Sequence, residues 1–511
     1  MFNLCKSGVN MNKVYLSKSK YCQCVQCEKM FWLRKYKPYC AVAEDKTTIF
    51  KNGHKVGELA KGLFGDYEDV PFDITLTPMI ERTNELLPNK PNIITEASFS
   101  YDNNFCSVDI LKNDEDGVEI YEVKSSTSVH DPYWDDASYQ YYVLSNLGYN
   151  VKKVCIVYIN REYVKGKLPV EDELDKFFNI EDITDIALEK QDEIRNNIDM
   201  INRYMDEHGE YNEPVKELGI QCFKPYPCDF WDYCARNLPK PNVFDIADMR
   251  KDQMFKRYYD RKVSFEDLIN EDLNPKYLQQ IDLELNDKGP EINKEAIANL
   301  LNSLKYPLYF IDYESYNVPI PEIEGTHPYQ QLPFQYSLHI IREEGAPLEH
   351  KEFLAEPDDE DFIRHFAESM VNDLSEDGSV IVYNKVFEES QVNKKLAEMF
   401  PDLKDEIYRI NGNMVDFRVP FMNRDYYVKE MEGSNSIKYV LPALYPNDPK
   451  LNYDNLPMVH NGGEASEAFL SLRDKSLESM HEDIRNGLLI YCKLDTYAMV
   501  KIWEKFKEVT K

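Results

Sequence analysis

Cys106-Ser-Val-Asp109-Ile-Leu-Lys-Asn113-Asp-Glu-Asp-Gly117-Val-Glu119-Ile-Tyr-Glu122-Val-Lys124 reads as two short strands joined by a cluster of turn formers, Asn113 to Gly117. With a side-chain period of two, Ile120, Glu122 and Lys124 share one strand face, while Tyr121 and Val123 take the other. A hairpin centred between Glu115 and Asp116 sets position 109 opposite position 122. Directly opposed residues have Cβ atoms roughly 4.5–5.5 Å apart. Two carboxylates at that spacing repel each other unless a cation lies between them. The hard oxygen donors Asp109 and Glu122 therefore predict a Mg2+ or Mn2+ site. Lys124 projects beside it, where an ammonium can orient water or stabilise charge on a phosphate.

An Asp followed by Glu-x-Lys on paired strands resembles the PD-(D/E)xK nucleases, in particular their RecB-like branch. Glu96 lies one strand upstream, and Asp135-Asp-Ala-Ser-Tyr-Gln140-Tyr-Tyr142 follows the lysine where RecB-like enzymes carry a helix with Gln and Tyr. The resemblance implies catalytic roles for Gln140 and, in place of the family's Tyr four residues after the Gln, for Tyr142. It also implies a metal-facing residue on the helix about 48–64, for which Glu58 and His54 compete.

Gln221-Cys222-Phe-Lys-Pro-Tyr-Pro-Cys228-Asp-Phe-Trp-Asp-Tyr-Cys234 has the spacing C-x5-C-x5-C, broken by two prolines, and reads as three ligands on a loop and helical turn. A fourth ligand is needed. This text resembles RecB-like proteins of the AddB and CRISPR-adaptation type, in which an N-terminal cysteine joins three cysteines after the nuclease core around a 4Fe-4S cluster. Cys27 matches that position, with Cys22 and Cys24 as substitutes. Four thiolates also suit zinc, the alternative reading.

Tyr309-Phe-Ile-Asp312-Tyr-Glu314 reads as a buried strand with two carboxylates on one face. Tyr491 and Asp495 fall at i and i+4 on a helix, and Glu388 follows the strand Ser379-Val-Ile-Val. Two acids on a strand with a third from a helix make a two-metal phosphoryl-transfer site. In order and type these segments, with Ser434-Asn-Ser-Ile-Lys438 between them, resemble the motifs of DnaQ-like, RNase H-fold exonucleases. That family ends its second motif in Asp where this chain has Glu388. Asp416 is a further acid without an assigned role.

The chain has 511 residues, so it should form several domains. The expected class is α/β: a PD-(D/E)xK restriction-endonuclease-like domain with its iron–sulfur staple over 1–238, a helical connector over 239–300, and an RNase H-like domain over 301–511. No membrane span and no apolar N-terminal leader are read. A cytoplasmic protein is expected, with its eleven cysteines as thiols or metal ligands. A net charge of −31 opposes nucleic acid unless cations or a local basic patch bridge it. One such patch is Lys13 to Lys37, although it reads equally as the charged face of a buried helix. The resemblances imply a metal-dependent nuclease with two active sites, acting on DNA ahead of RNA. The competing reading is a nucleic-acid-binding scaffold with one or both sites inactive.

Overall fold

The computed structural model describes residues 13–42, 47–89 and 91–511, and the chain is α/β, in two compact units. The first comprises Met1–Asn237 with Val318–Tyr329, the second Leu238–Asn317 with Gln330–Lys511.

In the first unit, helices α1 (Lys18–Gln26), α2 (Glu28–Tyr36), α3 (Thr47–Ala60) and α4 (Thr77–Leu86) precede strands β1 (Ile93–Tyr101), β2 (Asn104–Asp114) and β3 (Gly117–Lys124). Helix α5 (Asp131–Asn146) then crosses to β4 (Val151–Ile159), and β5 (Phe178–Asp182) and α6 (Gln191–Glu207) follow. The β1–β2–β3 meander is antiparallel, β4 runs parallel to β3, and β5 is antiparallel to β4. Two-residue strands at Glu68–Asp69 and Leu16–Ser17 add to β1 and β2. The period of two splits the apolar residues between the sheet's faces. Leu111, Ile120 and Ile156 join the core with α1, α2, α5 and α6, whereas Ile110, Tyr121 and Val157 join Val56 and Ala60 of α3.

The hairpin closes as its turn formers require. Asp114 pairs with Gly117 and Ile110 with Tyr121, so the next rung sets Asp109 against Glu122. Gly117 has φ +147°, and a Cβ there would lie 2.2 Å from the Asn150 carbonyl oxygen, which accepts the Val118 N–H at 2.8 Å. The turn and the start of β4 thus share a space that only glycine leaves open.

In the second unit, β6 (Leu308–Tyr316), β7 (Leu332–Ile341), β8 (Glu349–Leu354), β9 (Ser379–Val382) and β10 (Met414–Asp416) form one sheet in the order β8-β7-β6-β9-β10. Strand β7 is antiparallel to both neighbours, while β9 is parallel to β6 and β10 to β9. Helix α7 (Phe362–Asp373) packs on β7, and α8 (Ile437–Leu444) and α9 (Gly462–Ser471) precede the 30-residue α10 (His481–Thr510), which packs on β6 and β7.

Two expected boundaries move. Residues 239–300 do not stand apart: Glu291–Ile292 pairs with Tyr426–Tyr427, and Ile297 enters the core that holds Phe310 and Phe506. Val318–Tyr329 leaves the C-terminal domain to which the sequence assigns it. Ile320 and Tyr329 pack on the α3-side core of the first unit, and Lys165 exchanges backbone hydrogen bonds with Thr326 and Gly325. The basic segment 13–37 is also not a free patch. Lys29 and Lys37 pair with Glu213 and Arg34 with Asp229, while Tyr21, Phe31 and Trp32 are buried.

Replacing Gly117 by Ala should cost about 2 kcal/mol or more, because the backbone conformation and the space both refuse a Cβ. Equilibrium urea unfolding of Gly117→Ala against the parent, both with chelator, measures the loss.

Candidate functional site

Three groups of side chains stand out, two in the first unit and one in the second. The first lies across β1, β2 and β3. Thr95 pairs with Ile110 and Ala97 with Val108, so Glu96 stands opposite Asp109, which in turn stands opposite Glu122. Three acids thus form one cross-strand row. Glu96 adopts a left-handed backbone, φ 56°, inside a strand, and its carbonyl accepts from the Ser98 and Ser107 hydroxyls at 3.0 and 3.1 Å. A non-glycine residue held there re-aims its side chain at a local energetic cost.

Glu122 is buried, and both its oxygens are engaged. Oε1 accepts from Lys18 Nζ at 2.5 Å and Lys124 Nζ at 2.8 Å, and Oε2 accepts from Gln140 Nε2. Burial alone would raise its pKa, but Lys124 and Lys18 overcome that and hold it down to about 2. Asp109 goes the other way. Burial, then the Glu122 charge, pushes it up to about 8, although Oδ2 accepts the Val123 N–H at 2.6 Å. Lys124 is further fixed by an ion pair with Asp136 on α5 and by the Tyr133 ring, 4.9 Å from its Nζ. The Cys22 thiol bonds Asp136 Oδ1 at 3.2 Å.

The second group is a cage of thiols. Cys27, Cys222, Cys228 and Cys234 line one small cavity with Met30, Leu33, Phe230 and Trp231. Cys27 does not lie within a continuous helix. Its extended backbone, φ −161°, ends α1 and opens α2. The break turns the first N–H groups of α2 inward: burial raises the Cys27 thiol pKa, and the Met30 and Lys29 N–H groups pull against it. Backbone N–H groups of Gly219 and Phe230 oppose the effect of burial at Cys222 and Cys228 in the same way. Neither substitute ligand joins the cage, for Cys22 faces Asp136 and Cys24 is in the core.

The third group is in the second unit. Asp312 and Glu314 project from β6, and Asp495 from α10, with Tyr491 one turn earlier. Tyr453 donates to Asp495 Oδ1 at 2.6 Å. Ligand atoms of Asp312, Glu314 and Cys492 lie within 4.8 Å of one another. Burial, then Asp495 and Glu314, pushes Asp312 well above the ordinary carboxylate range, and burial and Asp495 do the same to Glu314. Burial raises Asp495 to about 6, against the Tyr453 hydroxyl, Lys438 and Tyr491. Lys438 Nζ bonds the His460 carbonyl at 2.7 Å and stands 5.5 Å from the Tyr491 ring.

Glu388 enters on a π-helical turn, Phe387–Asn393. It is buried and raised to about 8 by desolvation, its Oε2 has no hydrogen-bond partner among the described residues, and its charge acts on Asp312 and Glu314. Asp416 takes a supporting role: its oxygens accept the N–H groups of Lys385 at 3.0 Å and Arg418 at 2.8 Å, which holds the loop leading to Glu388.

Most residues named from the sequence therefore converge. Tyr142 does not: it points into the core beside Tyr101, because two residues along a helix turn a side chain about 200° from Gln140. Glu58 is half exposed and pairs with Lys61 at 2.8 Å rather than joining the acid row, and the charge of Lys61, with that of Lys18, reaches Glu96. Lys18, Asp136, Lys61, Tyr453 and Cys492 were missed. Asp136, in the Gln140 segment, carried a positional signal, whereas Lys18 is one of two lysines in the first turn of its helix and carried none. Tyr453 carried none.

A family model described as a domain of unknown function, DUF2779, matches residues 309–436, a span that includes Asp312, Glu314, Glu388 and Asp416. The chain is 25% identical over 301 residues to the uncharacterized protein UU173 of Ureaplasma parvum serovar 3, covering 54% of this chain and 42% of that protein. It is 27% identical over 237 residues to the uncharacterized protein MG366 of Mycoplasma genitalium, covering 42% and 34%. The chain spans less than half the length of these curated relatives. No solved structure matches it.

The raised carboxyls of the second unit give a pH signature. In the folded state they hold protons above the ordinary carboxylate value near 4. Their contribution to stability is therefore present at low pH and lost as pH rises through about 6 for Asp495 and about 8 for Glu388. With chelator, melting should fall between pH 5.5 and 8.5, and Asp312→Asn should raise stability at pH 8 by about 1 kcal/mol or more. Calorimetric scans across pH check both signs.

Proposed function

We propose that this protein is a metal-dependent nuclease with two hydrolytic sites, and that its first unit is a PD-(D/E)xK fold of the RecB-like kind. The observation that carries the reading is the row Glu96, Asp109, Glu122, with Lys124 two residues on along the same strand and Gln140 bonded to Glu122. An α4, β1–β2–β3 meander, α5, parallel β4 order supports it.

The donor set suits a hard divalent cation, since Asp109 and Glu122 are buried, adjacent carboxylates. Held there, such a cation would supply Lewis acidity and an acidified water. Lys124 stays charged between Glu122 and Asp136, where an ammonium could stabilise charge developing on a phosphate. Gln140 fixes the Glu122 carboxylate from the opposite side.

For the second unit, the β8-β7-β6-β9-β10 order with only β7 reversed supports an RNase H-like reading. Asp312 and Glu314, whose oxygens approach within 4.8 Å, with Asp495 on α10 and the Glu388 oxygen that has no partner among the described residues, suit divalent cations of an exonuclease acting from the 3′ end. Tyr491 remains a neutral phenol and can orient water.

The cage suits an iron–sulfur cluster better than zinc. Tetrahedral zinc with bonds near 2.3 Å sets its sulfurs about 3.8 Å apart. Among the described residues no three of these four sulfurs lie within 4.8 Å of one another. A 4Fe-4S cluster would join Cys27 to Cys222, Cys228 and Cys234 and close a loop of nearly the whole first unit.

End-labelled single- and double-stranded DNA and RNA, incubated with Mg2+, Mn2+ or chelator, provide the test. Asp109→Ala, Glu122→Ala and Lys124→Ala should each lower one cleavage activity by about two orders of magnitude or more. Asp312→Ala should remove a separate exonucleolytic activity. Absence of metal-dependent cleavage of every substrate would favour a nucleic-acid-binding scaffold instead. Anaerobically purified protein should be brown and contain iron, and Cys228→Ala should lose both colour and iron.

A further inference from the structure

The two lysines on Glu122 are held very differently. Lys124 is fixed by Glu122, by Asp136 and by the Tyr133 ring, and Asp136 is itself held by the Cys22 thiol. Lys18 arrives from another element, 104 residues away in sequence; among the described residues its ammonium hydrogen-bonds Glu122 Oε1 alone, at 2.5 Å, with Asp109 and Asp136 attracting it through charge. Its side chain is 22% exposed, against 16% for Lys124 and 2% for Glu122, so the two lysines differ in their partners rather than in burial. Gln140 takes one position on Oε2 and the two ammonium groups fill Oε1, so a divalent ion that binds Glu122 through Oε1 must displace one of them. The loosely held one yields.

Resting on the reading of this row as a cation site, we propose that Lys18 is its resident counter-ion: it neutralises the buried acids until a divalent metal displaces it, and so sets the metal concentration at which the site fills. The charges fit. Glu96, Asp109, Glu122 and Asp136 gather four carboxyls in one place, and an ammonium beside Glu122 balances one of them without the dehydration that Mg2+ requires. The same ammonium opposes the incoming ion by like-charge repulsion. Lys18 also belongs to the first turn of a helix capped by Ser17, so only its side chain has to move.

The test is Mn2+ binding to the purified full chain without nucleic acid, read by electron paramagnetic resonance titration. An Asp312→Asn, Glu314→Gln background silences the second-unit acids. Lys18→Gln and Lys18→Met should each lower the Mn2+ Kd by roughly tenfold or more, the scale of removing one like charge from a partly screened site. Lys18→Arg should stay near the parent. Lys20→Gln, which removes the same charge from an exposed position on the same helix, should also leave the Kd unchanged. Circular dichroism confirms that each variant is folded, and two neutral replacements guard against the loss of one. An unchanged or weakened Kd in both neutral variants, with binding that still disappears in Glu122→Gln, overturns the counter-ion role alone. Mn2+ binding that is absent, or indifferent to Glu122→Gln, overturns the cation-site reading and this inference with it.

Discussion

Burying carboxylates is the constraint around which both units are built. An isolated charged group inside a protein is too costly to keep, so it must be protonated, hydrogen-bonded or matched by an opposite charge. The first unit matches its acids with lysines from α1 and β3. The second has one nearby ammonium, Lys438, among Asp312, Glu314 and Asp495, and there the carboxyls are pushed toward the protonated form. The two groups thus weight the same remedies differently: counter-charge holds Glu122 ionised in the first, although Asp109 and Glu96 beside it are raised, and proton uptake prevails in the second.

How far the sequence was legible follows from the range of each interaction. The β2–β3 register could be read because a two-residue turn flanked by alternating residues leaves one pairing that buries Leu111 and Ile120 on the same face. Asp109 and Glu122 came with it. The strand acids Asp312 and Glu314 were legible for the same local reason, and Tyr491 and Asp495 from helical spacing. Lys18 was not, because its pairing with Glu122 closes over 104 residues, and one lysine among several on a short helix carries no mark. Tyr453 reaches Asp495 from a short turn 42 residues earlier in the chain, and no periodicity points to it.

The misreadings have equally local causes. A run of helix formers across Cys27 hides the break, since the cysteine's extended backbone is required by the cage rather than by its neighbours in sequence. Tyr142 was displaced by helical geometry. The segment 318–329 lies between two strands of the second unit's sheet, and its Ile320 and Tyr329 find their apolar partners in the first unit's core. Connectivity suggested one domain and burial selected the other.

Helix α1 begins at Lys18 beside Glu122 and stops at Cys27 in the cage. Nine residues span about 13 Å, and a helix of that length between two anchored ends behaves as a stiff rod. A tilt of roughly 10° at the cysteine end carries the lysine end about 2 Å, more than a salt bridge tolerates. One short rigid element thus fixes where Cys27 meets the other three thiols and where Lys18 meets the carboxylate row.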